Sequence, residues 1–256
     1  MIKPAFLKRQ FAKSLKEKRT SPFLRRLVFQ VVDAAARDHY ADAYPTKCFQ
    51  CSAAIATLLD GFGIRSRLMA GAVCIAETSE GERPRWGGFW DQDHHVWLMT
   101  EFGELVDLSI GVLHRHPASS RADGHPNPPI WWTDPSVWPP IIRYLPDTEV
   151  HRLADPAEEA DLDRFRTRAV GDLKVLVAAA MVEGVSFGPI LDGVATLDAL
   201  TQAGNPWARQ AYAIQRHRVP HPPWISRREE ELMEAWRQHR PAASHLRRVP
   251  GVLGTE

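Results

Sequence analysis

A change of hydrophobic period between Tyr44 and Asp107 constrains this chain more than any other feature. Tyr44-Pro45 breaks the chain, and after Cys48 the apolar residues Ala53, Ala54, Ile55, Leu58 and Leu59 recur at helical spacing over so much of the surface that the segment belongs inside a core. Gly61 and Gly63 end that helix. Arg67 to Ile75 then reads as a strand, and Glu77 to Gly88, charged and holding Gly and Pro, reads as a loop. His95 to Thr100, a Glu101-Phe102-Gly103-Glu104 turn and Leu105 to Leu108 together predict a β-hairpin. A buried helix followed by antiparallel strands makes the fold class α+β.

The flanks are mostly helical. Phe6, Phe11 and Leu15 sit among Lys8, Arg9, Lys13, Lys16 and Lys18, a short basic amphipathic helix with a solvated face. Ser21-Pro22 supplies an N-cap and a first-turn proline for a second helix, with Leu24, Leu27, Val28, Val31, Val32 and Ala35 as its buried stripe, ending near His39-Tyr40. His114 to Pro140 is rich in proline, carries Trp131, Trp132 and Trp138, and has no periodicity; it predicts an ordered strap over the core that walls the site. Beyond Asp155 the pattern is helical, with a last helix from Ser226 whose Ser226 and Glu229 form a capping box. The expected organisation is residues 1–40 as helices packing on a core, 41–150 as the core with its strap, and 151–256 as a C-terminal helical extension.

Composition narrows the function classes. The 256 residues are 44% hydrophobic with a net charge of +1, which suffices for a large core and gives no global pull toward nucleic acid or an anionic membrane. No apolar run is long enough to span a bilayer. Three cysteines, Cys48, Cys51 and Cys74, are too few for a disulfide framework and fit a reducing, cytoplasmic compartment.

The chemistry concentrates in the opening stretch. Cys48 lies at the start of the apolar helix, where unpaired backbone N–H groups and the helix dipole favour a thiolate. His95 can serve as imidazolium partner or general base, and Asp107, on the next strand, can fix its tautomer. The backbone N–H of Cys48 is one candidate oxyanion donor; Tyr44 and Gln50 are candidates for the second.

These residues resemble the transglutaminase-like, papain-like superfamily. Cys48 followed by an apolar helix and Gly63-Ile64-Arg65-Ser66-Arg67 is similar to that family's cysteine helix ending in Gly-Ile-Pro-Ala-Arg, at a compatible interval. His95-Val96-Trp97 resembles its His-Ala-Trp strand, and Val106-Asp107-Leu108-Ser109 its Leu-Asp-Pro-Thr strand. The resemblance covers about residues 44 to 112 and implies an antiparallel sheet packed on the Cys-bearing helix, with Cys48 as nucleophile, His95 as base and Asp107 as orienting carboxylate. Arg65 departs from the usual proline, and Leu108-Ser109 from Pro-Thr. The implied activity is cysteine-dependent acyl chemistry on a peptide, protein or small amide substrate: peptide, isopeptide or amide hydrolysis first, amide-forming transfer second, with no cofactor or metal required.

Other readings stay beside this one. Cys51, three residues on, reads as a small buried hydrophobe, and Cys74 as core. Cys48-Phe49-Gln50-Cys51 is also a Cys-x-x-Cys, which opens a redox site or a zinc site with His94 and His95; the first lacks a preceding apolar strand, and adjacent histidines in extended chain point apart. Asp91 and Asp93 precede the histidine pair in a loop. His114, His116 and His125 lie in the strap. Trp86, Trp90, Trp97, Trp131 and Trp132 either line an acyl or peptide groove or pack in the core. A non-catalytic member that binds a protein through the strap is the alternative from another class.

Overall fold

A computed structural model describes residues 4–77, 85–89, 95–115, 129–133, 142–179 apart from 152 and 154, and 185–238 apart from 186 and 222. His94, Asp91, Asp93, Trp90, Trp138, His116, His125 and most of the strap lie outside these residues. The described chain is α+β: helices on both faces of a six-stranded, fully antiparallel sheet.

Two amino-terminal helices, α1 (Pro4–Glu17) and α2 (Pro22–Tyr40), precede a 3₁₀ turn, Ala41–Thr46. The Ser21 side chain accepts from Leu24 N, with Pro22 opening α2. Helix α3 (Cys48–Gly61) follows, and Gly61 lies at its end as expected. Then come β1 (Ser66–Glu77), β2 (Arg85–Phe89), β3 (His95–Thr100), β4 (Leu105–Asp107), a second 3₁₀ turn at Ser109–Arg115, β5 (Trp131–Thr133) and β6 (Ile142–Val150). The chain continues as α4 (Pro156–Ala179), α5 (Val194–Gln202), α6 (Pro206–Arg216) and α7 (Pro223–Gln238).

Strand β1 is the sheet's spine. It pairs with β3 over Ser66–Gly71, with β2 over Val73–Glu77 and with β6 over Leu68–Ile75. Because each strand has two edges, β3 and β2 share one edge of β1 and β6 takes the other. The register of β6 shifts at Ala70/Gly71, next to Pro146, which lacks an N–H to donate. A Cβ on Gly71 would lie 2.1 Å from the Leu145 carbonyl oxygen and 2.9 Å from the Trp97 ring, so only glycine fits this crossing.

Strand alternation divides the core. Val96, Leu98, Val106 and Trp132 face α2, α3 and α4, whereas Trp97, Met99, Leu105 and Trp131 face α5 and α6 with Leu191, Leu197, Leu200 and Trp207. The segment beyond Asp155 therefore supplies cover to both faces of the sheet. Helix α7 packs on β6 through Ile225 and the Arg143–Glu229 and Arg228–Asp147 pairs.

Three expectations need correction. Arg85–Phe89 is a strand rather than part of a loop, since β1 runs long enough to offer it a free edge. Trp131, Trp132 and Thr133 form a buried strand, with aromatic and β-branched side chains suited to a pleated core, and Trp132 packs 4.9 Å from Phe29. Helix α7 begins at Pro223, so Ser226 lies inside it and caps nothing. No helix among the described residues is long and apolar enough to cross a membrane.

Candidate active site

Three elements bring Cys48, His95 and Asp107 together. Cys48 is the first residue of α3, whose backbone ladder starts with Cys51 N donating to Lys47 O at 2.9 Å. Ser52, one turn on, donates its hydroxyl to the Val96 carbonyl at 3.2 Å, which ties the cysteine helix to the strand one residue from His95. Sequence reasoning missed Ser52; its signal was a hydroxyl at the head of an apolar run. His95 is the first residue of β3 and 1% exposed. Asp107 ends β4, also 1% exposed, and the hairpin register of Leu98 with Val106 places it across from Trp97, diagonal to His95.

The histidine and carboxylate are in short contact: His95 Nε2 lies 2.6 Å from Asp107 Oδ2. Nε2 is thereby committed to Asp107, and the Cys48 side chain lies close enough to the His95 ring to stabilise its charged form. Burial works against the imidazolium. The charge and hydrogen bond of Asp107, then the hydrogen bond and charge of Cys48, outweigh it and lift His95 to about 10. Asp107 has two further donors, Ile110 N at 3.0 Å to Oδ1 and the Tyr144 hydroxyl at 2.8 Å to Oδ2. Tyr144 comes from β6, a segment to which sequence analysis assigned no element. Its ring meets Trp97 edge-on at 5.0 Å, and Trp97 in turn stacks at 6.1 Å on His95.

The other candidates fall elsewhere. Cys51 is fully buried, and burial, followed by the neighbouring Cys48 charge, pushes its thiol up, so it lies in the core as a neutral side chain. Cys74 is likewise buried. Tyr44 gives its hydroxyl to Asp33 Oδ1 at 2.9 Å, which directs it away from an oxyanion role. Gln50 is buried in the first turn of α3. Trp97, Trp131 and Trp132 are core residues at 2% exposure or less, so none of them walls an open groove. Trp86 is half-buried and donates to Val219 O at 3.1 Å. Among the described residues no group of three or more His, Cys, Asp or Glu is arranged to hold a metal ion.

Chemically, the arrangement is a thiol at a helix N-terminus, an imidazole beside it and a buried carboxylate behind the imidazole. Cys48 alone of the three cysteines is not buried. No family model, curated protein or solved structure matches the chain.

Proposed function

We infer that this protein is a cysteine-dependent acyl-transfer or hydrolytic enzyme with a transglutaminase-like, papain-like core. The observation that carries the reading is one buried imidazole whose Nε2 meets the Asp107 carboxylate and whose charged form is also stabilised by the neighbouring Cys48. A structural histidine needs one partner; this one has a carboxylate on one side and a partly exposed thiol on the other.

The mechanism follows from that order. The Cys48 proton passes to His95 Nδ1, and the thiolate sulfur attacks an amide or ester carbonyl carbon, forming a C–S bond as the C=O π pair moves to oxygen. The oxyanion collapses, the C–N or C–O bond breaks, and the imidazolium gives its Nδ1 proton to the leaving group. Water, losing a proton to His95, then attacks the thioester carbon, the C–S bond breaks with its electron pair returning to the Cys48 sulfur, and the acid leaves; an amine in place of water gives a new amide. Asp107 holds the Nε2–H tautomer and stabilises the imidazolium. Peptide, isopeptide or amide hydrolysis is the first reaction to assay, amide-forming transfer the second. Behind His95 the contact with Asp107 is buried, both residues being 1% exposed, and Trp97 packs on the imidazole.

The test is iodoacetamide labelling near neutral pH with mass mapping, alongside screening on fluorogenic amides and amine-transfer donors. Selective modification of Cys48 over Cys51 and Cys74, with turnover lost in Cys48→Ala, is expected. Unselective labelling and turnover retained in Cys48→Ala would sink the reading.

A further inference from the structure

Asp107 Oδ2 accepts two hydrogen bonds at once, from His95 Nε2 at 2.6 Å and from Tyr144 Oη at 2.8 Å. A hydroxyl aimed at the same oxygen that grips a catalytic imidazole does two things. It fixes the carboxylate's rotamer, and it draws charge from the oxygen facing the ring. Tyr144 is well placed for both. Its hydroxyl stays neutral, because burial and the Asp107 charge both oppose ionisation. Its ring is held edge-on against Trp97, and its strand is pinned on the far side by α7 through Arg143–Glu229 and Arg228–Asp147.

We propose that Tyr144 is a positioning residue of the Cys48–His95–Asp107 site, holding Asp107 and moderating its grip on His95 so that the imidazolium can release its proton to the leaving group. The inference rests on the acyl-chemistry reading of that site. Its chemical logic is the Brønsted compromise: an imidazolium bound too tightly by an undiluted buried carboxylate is a poor general acid. The titratable groups bearing on His95 are Asp107 of β4, Cys48 of α3 and, through Asp107, Tyr144 of β6. Cys51, one turn further along α3, is within electrostatic reach of Asp107 and neutral. Helices α5 and α6 cover this face with apolar residues of the shared core.

The experiment is an NMR titration of His95 in the full chain, assigned by loss of its resonances in His95→Gln, and compared with Tyr144→Phe, which keeps the packed ring. The Phe variant is expected to raise the His95 midpoint by about one pH unit, the effect of one lost hydrogen bond to a charged group. Any turnover found should lose kcat rather than gain KM. In Asp107→Asn, which has no carboxylate charge to moderate, Tyr144→Phe should shift the midpoint far less. An unchanged or lowered midpoint in Tyr144→Phe, or the same upward shift with Asn at 107, overturns the proposal. Failure of the underlying reading looks different: the unsubstituted protein would then titrate His95 as an ordinary histidine and label its cysteines unselectively.

Discussion

Two buried carboxylates sit three residues apart on one hairpin, and they are built for opposite ends. Glu104, 3% exposed, is saturated: Arg25 Nη2 at 2.6 Å and Thr20 N at 3.0 Å reach Oε1, and Thr20 Oγ1, Thr100 Oγ1 and Trp132 Nε1 reach Oε2. Arg25, 2% exposed, gives its other donors to the Thr20 and Trp132 carbonyls and also pairs at 3.5 Å with the partly exposed Asp192 carboxylate. The pair thereby joins α2, the hairpin turn and β5. Asp107 is as buried, but its main partner is a titratable ring that has a partly exposed thiol as its other neighbour. A closed network specifies structure; the same burial with one open end specifies chemistry.

Removing Asp107's charge should produce the largest effect. Asp107→Asn keeps the size of the side chain while loosening the tautomer of His95, and any turnover should fall by about 10⁴-fold, together with the pH-dependent share of stability that His95 draws from this carboxylate. Turnover that survives Asp107→Asn within about tenfold would erase the distinction between the two carboxylates. Next comes Glu104→Ala, which leaves the Arg25 charge buried without its closest partner. Denaturant titration should show a loss of about 3–5 kcal/mol, the usual range for half of a buried pair. Cys48 alkylation in the folded variant should be unchanged.

The third prediction uses pH. His95 titrates at about 10 in the folded chain, against an ordinary 6.5 when unfolded. A raised folded value means that the folded state holds a proton which the unfolded state has released. The His95 contribution to stability is therefore complete below about pH 6.5 and is lost as pH rises toward 10. Chemical unfolding across that window should show stability declining by up to about 1.4 kcal/mol per pH unit, with a flatter profile in Asp107→Asn. Identical slopes in the two proteins would detach His95 from Asp107. Glu101 gives the smallest effect. It pairs with Arg65 at 2.9 Å, but the Arg65 side chain is 82% exposed. Glu101→Gln should cost about 0–1 kcal/mol in a thermal melt; a loss matching that of Glu104→Ala would show that burial does not separate these positions.

What could be read in the sequence was what is locally encoded. Ser21-Pro22, the apolar run after Cys48 and the His95–Asp107 hairpin each announce themselves within a dozen residues, through a cap, a period or a turn. Cys48 and Cys51 were separable because one residue begins a helix and the other lies in its first turn. The strands β2, β5 and β6 are different. Each is defined by the edge it completes, and β6 carries Pro146 and Asp147 in its middle, residues that local propensity assigns to turns. Tyr144 was invisible for the same reason: nothing around it marks a strand, and its partner Asp107 lies 37 residues away. The strap reading failed at Trp131 and Trp132 because proline content on either side masked three residues that the core needed as a strand.

The central claim is that His95 couples the Cys48 thiol to Asp107. The most direct measurement is the second-order rate of Cys48 alkylation at neutral pH in the unsubstituted protein and in His95→Ala. The account predicts selective Cys48 labelling that slows by about tenfold or more when the imidazole is removed, the scale of one general-base or ion-pair contribution. A Cys48 rate that is the same with and without the His95 ring would contradict it.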